Sequence, residues 1–229
     1  MRWPISAAVP RSLVVVAFLA AALSSAASEC RANEPPLDFG RDLRWFEKVA
    51  ELGNVEAQYR LGLIFEQGIK VPRDAKKARY WYRRAAEQNH GAAQFRLATL
   101  LQNGIGGLAD PVGAAQWYRA AADKGLAPAR YNLALMLDRG LGVEADPYAA
   151  ALLYELAARN GIGSAAAGLG LLYLEGRGVA ADRVLALAWL TIAADSGVSG
   201  AAAVRDDLLA TLNEAERARL AAEIKALGG

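Results

Sequence analysis

The sequence predicts an all-helical protein built as an array of repeated helix pairs. Residues 55–198 divide into four units of 36 residues without insertions. Within each unit the apolar positions follow helical spacing, and glycine and aspartate recur where helices end and begin. Alternation of apolar and polar residues, which is typical of strands, does not occur, so we predict no sheet.

The N-terminal segment predicts export. The first residues carry two arginines and no acid, and they precede an apolar stretch that is too short for a comfortable membrane span. Small residues follow, with Ser25 and Ala27 at the positions that a signal peptidase recognises. We expect a secretory signal peptide over residues 1–27, with an uncleaved anchor as the alternative, and a flexible linker over residues 28–41. The periplasm is the expected location.

Charge and cysteine content limit the classes of partner. The chain has 26 Lys and Arg against 24 Asp and Glu, and removal of the signal peptide takes away two arginines, so the remainder is neutral. This balance gives no support to nucleic-acid binding. Cys30 is the only cysteine, which excludes an intramolecular disulfide. We therefore expect apolar burial alone to hold the repeats together.

The first half of each unit predicts a helix, called helix A. When Val55 is counted as position 1, Ala at position 3, Leu at position 7, Gly or Ala at position 8 and a large apolar residue at position 11 recur in every unit. This spacing follows one helical face. A glycine at position 14 suits the left-handed conformation that ends a helix. These glycines are Gly68, Gly104, Gly140 and Gly176.

The second half of each unit predicts helix B. An aspartate at position 20 can accept hydrogen bonds from the free N–H groups of a helix start, and proline follows it in two units. Ala at position 24, large apolar residues at positions 27 and 28, and Ala-Ala at positions 31 and 32 form one stripe. Gly or Asn at position 35 ends the helix. The aspartates are Asp74, Asp110, Asp146 and Asp182.

Both ends of the array have sequence features of capping helices. Trp45 and Phe46 continue the helix B register upstream, which predicts an N-terminal capping helix over residues 42–54. Residues 199–229 predict two more helices, and Asn213 with its partner Glu216 resembles a capping box. One helix pair cannot bury its own apolar stripe, so the pairs must stack.

The repeated pattern of Ala, Leu-Gly, an aromatic, Gly-x-Gly-Val, Asp, Ala, Trp-Tyr and Ala-Ala resembles the Sel1-like repeat family, a relative of the tetratricopeptide repeat. The resemblance covers residues 42–198, and Lys70 and Leu153 depart from the pattern. It implies a right-handed α-solenoid that acts as an adaptor or scaffold. A cysteine-rich branch of the family has been linked to β-lactam binding, but this chain lacks its cysteines, so that activity is not transferred.

The resemblance also implies that helix A lines a concave groove. Aromatic rings beside arginine and amide side chains suit a peptide groove, because rings supply contact area and the polar groups supply hydrogen bonds. For the rings at position 5, packing along the helix A layer stays open as an alternative. Ala167 and Gly168 break the pattern, so we expect the site in the first three units. The candidate groove residues are Tyr59, Arg60, Phe95, Arg96, Asn103, Tyr131, Asn132 and Arg139.

These features predict a monomeric exported adaptor that binds a protein or peptide, such as a periplasmic regulator of signalling or of envelope polysaccharide. A single histidine, His90, and a single cysteine provide no zinc site or catalytic triad, so we expect no enzyme, catalytic residue, metal or cofactor. Two alternatives stay open. One is a cell-wall or β-lactam hydrolase. The other is weak binding to an anionic envelope surface or polysaccharide through Lys76, Arg79 and Arg83.

Overall fold

The computed structural model describes residues 39–227, and every regular element within that range is a helix. The predicted all-helical class is therefore confirmed. The predicted signal peptide and most of the predicted linker lie outside the described residues. The helices are α1 (Phe39–Glu51), α2 (Val55–Gln67), α3 (Ala75–Glu87), α4 (Gly91–Gln102), α5 (Pro111–Asp123), α6 (Ala127–Arg139), α7 (Pro147–Ala158), α8 (Gly163–Glu175), α9 (Arg183–Asp195), α10 (Ala201–Ala210) and α11 (Glu214–Leu227).

The chain divides into two units, Met1–Trp45 and Phe46–Gly229. In the second unit the helices pack in series, each against the next along the chain from α2 to α10, and α11 packs back on α9. Helices α2, α4, α6 and α8 are the four helix A elements, and α3, α5, α7 and α9 are their helix B partners. Stacking of neighbouring pairs produces the solenoid that the sequence predicts.

The helix boundaries form as the sequence signals predict. Each of the four position-20 aspartates accepts a hydrogen bond from a backbone N–H in the first turn of helix B. The four glycines at position 14 have φ values between 65° and 73°. Lys70 has φ 56° at the position where later repeats carry the second glycine of the turn, so the turn keeps its left-handed conformation without glycine.

Small residues and tyrosines form the interior of the array. The alanines at positions 3, 24 and 31 of all four repeats are buried, which lets helix backbones approach closely. Tyr82, Tyr118 and Tyr154, which recur at position 28, are the largest fully buried side chains of the described residues. Each buried large side chain contributes roughly 1.5–3 kcal/mol of hydrophobic stabilisation, so this layer is a principal source of cohesion between helices.

In the second, third and fourth repeats, the second glycine of the turn packs against the preceding repeat. A Cβ atom at Gly142 would lie 2.4 Å from the carbonyl carbon of Pro111, and one at Gly178 would lie 2.3 Å from that of Pro147. These turns therefore touch the start of the neighbouring helix B. Glycine is required there both for its positive φ and for the close backbone contact.

The C-terminal helices cover the last repeat. Leu220 of α11 and Leu212 pack on Val184, Leu187 and Ala188 of α9, which are buried beneath these C-terminal residues. The predicted capping box forms. The backbone N–H of Asn213 donates to the Glu216 carboxylate, and the backbone N–H of Glu216 donates to the Asn213 side-chain oxygen, each at a distance of 2.9 Å. Among residues 39–227, no helix combines the length and apolar character that a membrane crossing requires.

Candidate functional site

The helix A side of the array carries aromatic rings supported by a second layer of rings. Tyr59, Phe95 and Tyr131, at position 5, are partly exposed, and we call them the outer rings. Beneath them lie Tyr82, Tyr118 and Tyr154, here called the tyrosine row. Each outer ring packs on the tyrosine of its own repeat, with centroid distances of 5.8, 5.9 and 6.0 Å in chain order. The outer rings therefore both pack within the array and face solvent. The sequence left open whether these rings contact a ligand in a groove or pack along the helix A layer, and this arrangement is compatible with both.

Hydroxyl groups of the tyrosine row bind polar side chains at position 12 of helix A. Tyr82 donates to Glu66 over 2.5 Å, and Tyr118 donates to Gln102 over 2.9 Å. The hydroxyl of Tyr118 also lies 3.1 Å from that of Thr99. In the first two repeats these bonds tie helix B to helix A just below the outer rings.

The next repeat covers the tyrosine row with its position-6 side chain. A guanidinium nitrogen of Arg96 lies 3.8 Å from Glu66, and Asn132 lies close to the hydroxyl of Tyr118. Burial, together with the hydrogen bond to Glu66, raises the pKa of Tyr82. Burial likewise raises the pKa of Tyr118 above its ordinary value. Both hydroxyls therefore keep their protons and act as donors at neutral pH.

Three other predicted groove residues make different local contacts. Arg60 is about half exposed and pairs with Glu56 on its own helix over 2.8 Å, which lowers the pKa of that carboxyl. Asn103 is exposed and donates to the carbonyl oxygen of Thr99 over 2.8 Å. Arg139 is exposed near Tyr131. The structure thus gathers the rings, Arg96 and Asn132 around the tyrosine row, whereas Arg60 is not linked to it by a hydrogen bond or ion pair.

His90 has a structural position at the start of α4. Its Nδ1 accepts a hydrogen bond from the backbone N–H of Ala93 over 3.1 Å, so it caps the helix. Its ring stacks on Tyr59 with centroids 4.5 Å apart, and its Nε2 lies 3.5 Å from Glu56. In the part of the chain that the structure describes, no group of three or more His, Cys, Asp or Glu residues could hold a metal ion.

The basic segment on α3 is partly engaged in structural contacts. Lys76 and Arg83 are exposed, but Arg79 donates to the backbone carbonyl of Leu108 in the next repeat over 3.0 Å. Arg84 lies over the rings of Tyr80 and Trp81, at 5.9 and 5.7 Å from their centroids. Two of the three predicted surface contacts, Lys76 and Arg83, therefore remain available to a ligand.

Sequence reasoning missed the hydroxyl contacts of the tyrosine row, because it treats position 28 only as part of the apolar stripe of helix B. A signal for them exists within the chain. Position 12 is polar in the three repeats that have tyrosine at position 28, whereas the fourth repeat has Leu174 and Leu190 at these two positions. The paired change indicates that the two positions meet.

Comparison with known protein families shows the family to which this chain belongs. The family model of the Sel1 repeat matches residues 43–54, 55–90, 91–126, 127–162 and 163–198, which is more than half of the chain. The chain belongs to the Sel1 repeat family. Proteins of this family generally act as protein–protein interaction scaffolds and are typically non-catalytic. None of the curated proteins compared with this Sel1 repeat protein matches it significantly.

Solved structures of other Sel1 repeat proteins resemble this chain. A Sel1 repeat protein from Oxalobacter formigenes is 38% identical with a TM-score of 0.62, and the match covers 67% of this chain and 63% of that protein. The protein c5321, a protective antigen of uropathogenic Escherichia coli with this fold, is 29% identical with a TM-score of 0.52. That match covers 80% of this chain and 47% of c5321. The chain therefore spans less than two thirds of either protein's length.

Proposed function

We propose that this Sel1 repeat protein is an exported adaptor that binds a protein or peptide partner on its helix A side. The observation that carries this proposal is the layer of outer rings, Tyr59, Phe95 and Tyr131, which is exposed on one side and fixed on the other by the tyrosine row. Rings of this kind offer a large contact area that costs little conformational entropy on binding.

Polar side chains beside the rings supply directional contacts. Arg96 is 41% exposed and lies at 3.8 Å from Glu66, which itself is held by Tyr82. An arginine that is positioned but not enclosed can exchange this long ion pair for a bidentate contact with a partner carboxylate. Preorganised donors next to fixed rings favour recognition of an extended or helical peptide over chemical catalysis.

Export and a periplasmic location complete the proposal, and both rest on the sequence of residues 1–27. In that compartment a monomeric adaptor without cofactors could regulate a signalling protein or an envelope polysaccharide enzyme through binding alone. Cell fractionation of the protein with a C-terminal tag tests this part. Recovery with periplasmic markers, at a mass that indicates loss of about 27 residues, is the expected result. Recovery in the cytosol at full mass would contradict export.

Site-specific photo-crosslinking tests the binding surface. A photoreactive phenylalanine analogue replaces Phe95 on the helix A side in one variant and the exposed Gln116 on α5 in a control variant. After irradiation of envelope extract, we expect a discrete crosslinked partner with the variant at position 95 and none with the variant at position 116. Charge reversal in the double variant Arg60→Glu/Arg96→Glu should abolish capture of the same partner.

The outcome that contradicts the proposal is equally specific. A partner that crosslinks only at position 116, or that the double variant captures as efficiently as the wild type, would place binding on another surface. Steady hydrolysis of a chromogenic β-lactam that survives repurification would instead favour the hydrolase alternative.

A further inference from the structure

The fourth repeat leaves a cavity of about 270 Å³ on the helix A side. Its apolar walls include Leu135 of α6 together with Ala167 and Leu171 of α8, and Tyr154 of the tyrosine row forms part of its lining. The sequence predicts a site in the first three repeats, because Ala167 and Gly168 break the pattern in the fourth. The structure places both residues at the cavity.

Small side chains at positions 5 and 6 explain why the cavity occurs here. In the second and third repeats Arg96 and Asn132 lie close enough to the preceding tyrosine to affect its pKa. Gly168 takes the same position in the fourth repeat and has no side chain. A Cβ atom added there would lie 2.9 Å from the ring of Tyr154, so this ring reaches the α8 backbone directly. With Ala167 in place of an outer ring, the space above stays open.

The hydroxyl of Tyr154 differs from its counterparts because it has no hydrogen-bond partner within residues 39–227. The hydroxyls of Tyr82 and Tyr118 both bind position-12 side chains, whereas Asp138 at this position pairs with Arg177 instead. Tyr154 is only 2% exposed. The hydroxyl is not among the fully buried polar atoms that lack a partner, so it keeps some access to solvent and is available as a donor for a ligand that enters the cavity. Burial, with the charge of Asp138, raises its pKa, so the proton stays in place.

One cation at the cavity, Arg139, is available to pair with an acidic ligand. Two guanidinium groups, of Arg139 and Arg177, and one carboxylate, of Asp138, line it. Arg177 is satisfied by Asp138 and Glu175. Arg139 is exposed and forms no ion pair with the described residues, and it lies close enough to Tyr154 to affect its titration. With Glu175 included, these side chains carry no net charge, and Arg139 is the cation of the lining that is available to pair with a ligand.

We propose that this cavity binds one large aliphatic side chain of a partner peptide. The peptide's adjacent backbone carbonyl accepts a hydrogen bond from Tyr154, and an acidic side chain within two residues pairs with Arg139. The volume is just below the ~300–1,000 Å³ of small-molecule sites, which suits a single side chain better than a cofactor. This inference rests on the proposed adaptor function and adds to it the chemistry of the peptide.

Selection from a phage-displayed library of random dodecapeptides on the purified protein tests the inference. Selected peptides should share a Leu, Ile or Met with Asp or Glu within two residues. Their affinities are then measured by fluorescence anisotropy with fluorescein-labelled synthetic peptides. Ala167→Tyr gives the fourth repeat the ring that the first and third repeats have at position 5, so it fills the cavity and should weaken binding at least tenfold.

A matched control adds the same ring elsewhere. Gln116→Tyr places the ring on the exposed surface of α5, outside the cavity. The first repeat already has a tyrosine, Tyr80, at the equivalent position 26, so this variant should leave peptide affinity unchanged. Tyr154→Phe removes only the free hydroxyl and should weaken binding about threefold to tenfold. Tyr148→Phe, which removes a hydroxyl from the exposed surface of α7 outside the cavity, should leave peptide affinity as in the wild type.

Arg139→Gln supplies a test that does not depend on filling the cavity. This variant should weaken binding of the acidic peptide. It should not change the affinity of a matched peptide in which Asn or Gln replaces the Asp or Glu. A double-mutant cycle of this kind isolates the ion pair from the rest of the contact.

Two results would overturn the inference. One is a library that yields no peptide, and the other is a set of peptides that bind Ala167→Tyr as tightly as the wild type. If a partner still crosslinks at position 95, the adaptor function stands and only the subsite fails. If crosslinking at position 95 also fails, both fail.

Discussion

The hydroxyl of Tyr82 donates to Oε2 of Glu66 over 2.5 Å, so α3 is fastened to α2 directly beneath the outer ring of Tyr59. The same connection recurs one repeat later between Tyr118 and Gln102. The groups that stabilise each helix pair are therefore the groups that support the proposed binding surface, and changes beneath the rings should affect stability first.

Removal of one hydroxyl from the tyrosine row should destabilise the array. Tyr82→Phe leaves the carboxylate of Glu66, which is only 22% exposed, without its short hydrogen bond. Hydrogen bonds to charged groups contribute about 1.5–3 kcal/mol, so we expect a loss of that order in the free energy of unfolding by urea. Tyr80→Phe on the same helix is the control, because Tyr80 is exposed, and it should change stability by less than about 0.5 kcal/mol. Equal effects of the two variants would contradict this interpretation.

The turn glycines should differ according to their surroundings and not according to their φ angle alone. Gly142 and Gly161 have φ values of 69° and 84°, but only Gly142 lies against the backbone of Pro111. Gly161→Ala should cost about 1–2 kcal/mol for the left-handed conformation. Gly142→Ala should cost a further ~1–3 kcal/mol for overpacking. Thermal unfolding of both variants checks the order, and a Gly161→Ala variant that is less stable than Gly142→Ala would contradict it.

Acid should weaken the junction between the last repeat and its cap. Burial alone would raise the pKa of Asp182, but hydrogen bonds from the Leu185 and Val184 N–H groups and from Arg219 lower it below its ordinary value of 3.8. A lowered pKa in the folded state contributes stability above the unfolded value, and this contribution is lost as the pH falls below about 4. Asp182→Asn keeps a helix cap but cannot titrate, so its stability should fall less steeply below pH ~4.

A second variant identifies the partner that controls this acid response. Arg219→Gln removes the ion pair and should also flatten the dependence of unfolding free energy on pH. Identical acid profiles for the wild type and both variants would show that Asp182 does not contribute.

The C-terminal cap should be required for the stability of the fourth repeat. Leu220 is 8% exposed and covers Val184, Leu187 and Ala188, so Leu220→Ala should cost about 2–3 kcal/mol. Leu152→Ala on α7 removes the same atoms from a side chain that is 48% exposed, and should cost less than about 1 kcal/mol. Urea unfolding measures both, and a Leu152→Ala variant that is equally unstable would show that α11 is not a structural cap.

The helical framework could be predicted because its signals are local. A capping aspartate such as Asp74 and a turn glycine such as Gly140 act through their own backbone neighbours, and repetition in four units removes the ambiguity of each single signal. The capping box of Asn213 and Glu216 is local in the same sense. Lys70 shows the limit, because its left-handed conformation is imposed by the turn and not by its own preference.

The candidate site was less predictable because it depends on contacts between helices. The sequence places Tyr59 on helix A, but helical spacing alone cannot show that its ring rests on both Tyr82 and His90. It also cannot show that small residues create space. In the sequence Ala167 and Gly168 only interrupt the repeated pattern, whereas in the structure they line a cavity. Contacts between side chains of different helices are visible in the structure but cannot be inferred from the spacing of residues along the sequence.

Hydroxyl-radical footprinting of the protein with and without its captured partner tests the central claim most directly. Radical oxidation reports the solvent exposure of individual aromatic side chains in one experiment. If the helix A side binds the partner, Tyr59, Phe95 and Tyr131 should lose most of their reactivity, while the exposed Tyr80 and Tyr148 on helix B should keep theirs. Protection of Tyr80 and Tyr148 with unchanged oxidation of the outer rings would contradict the proposed binding surface.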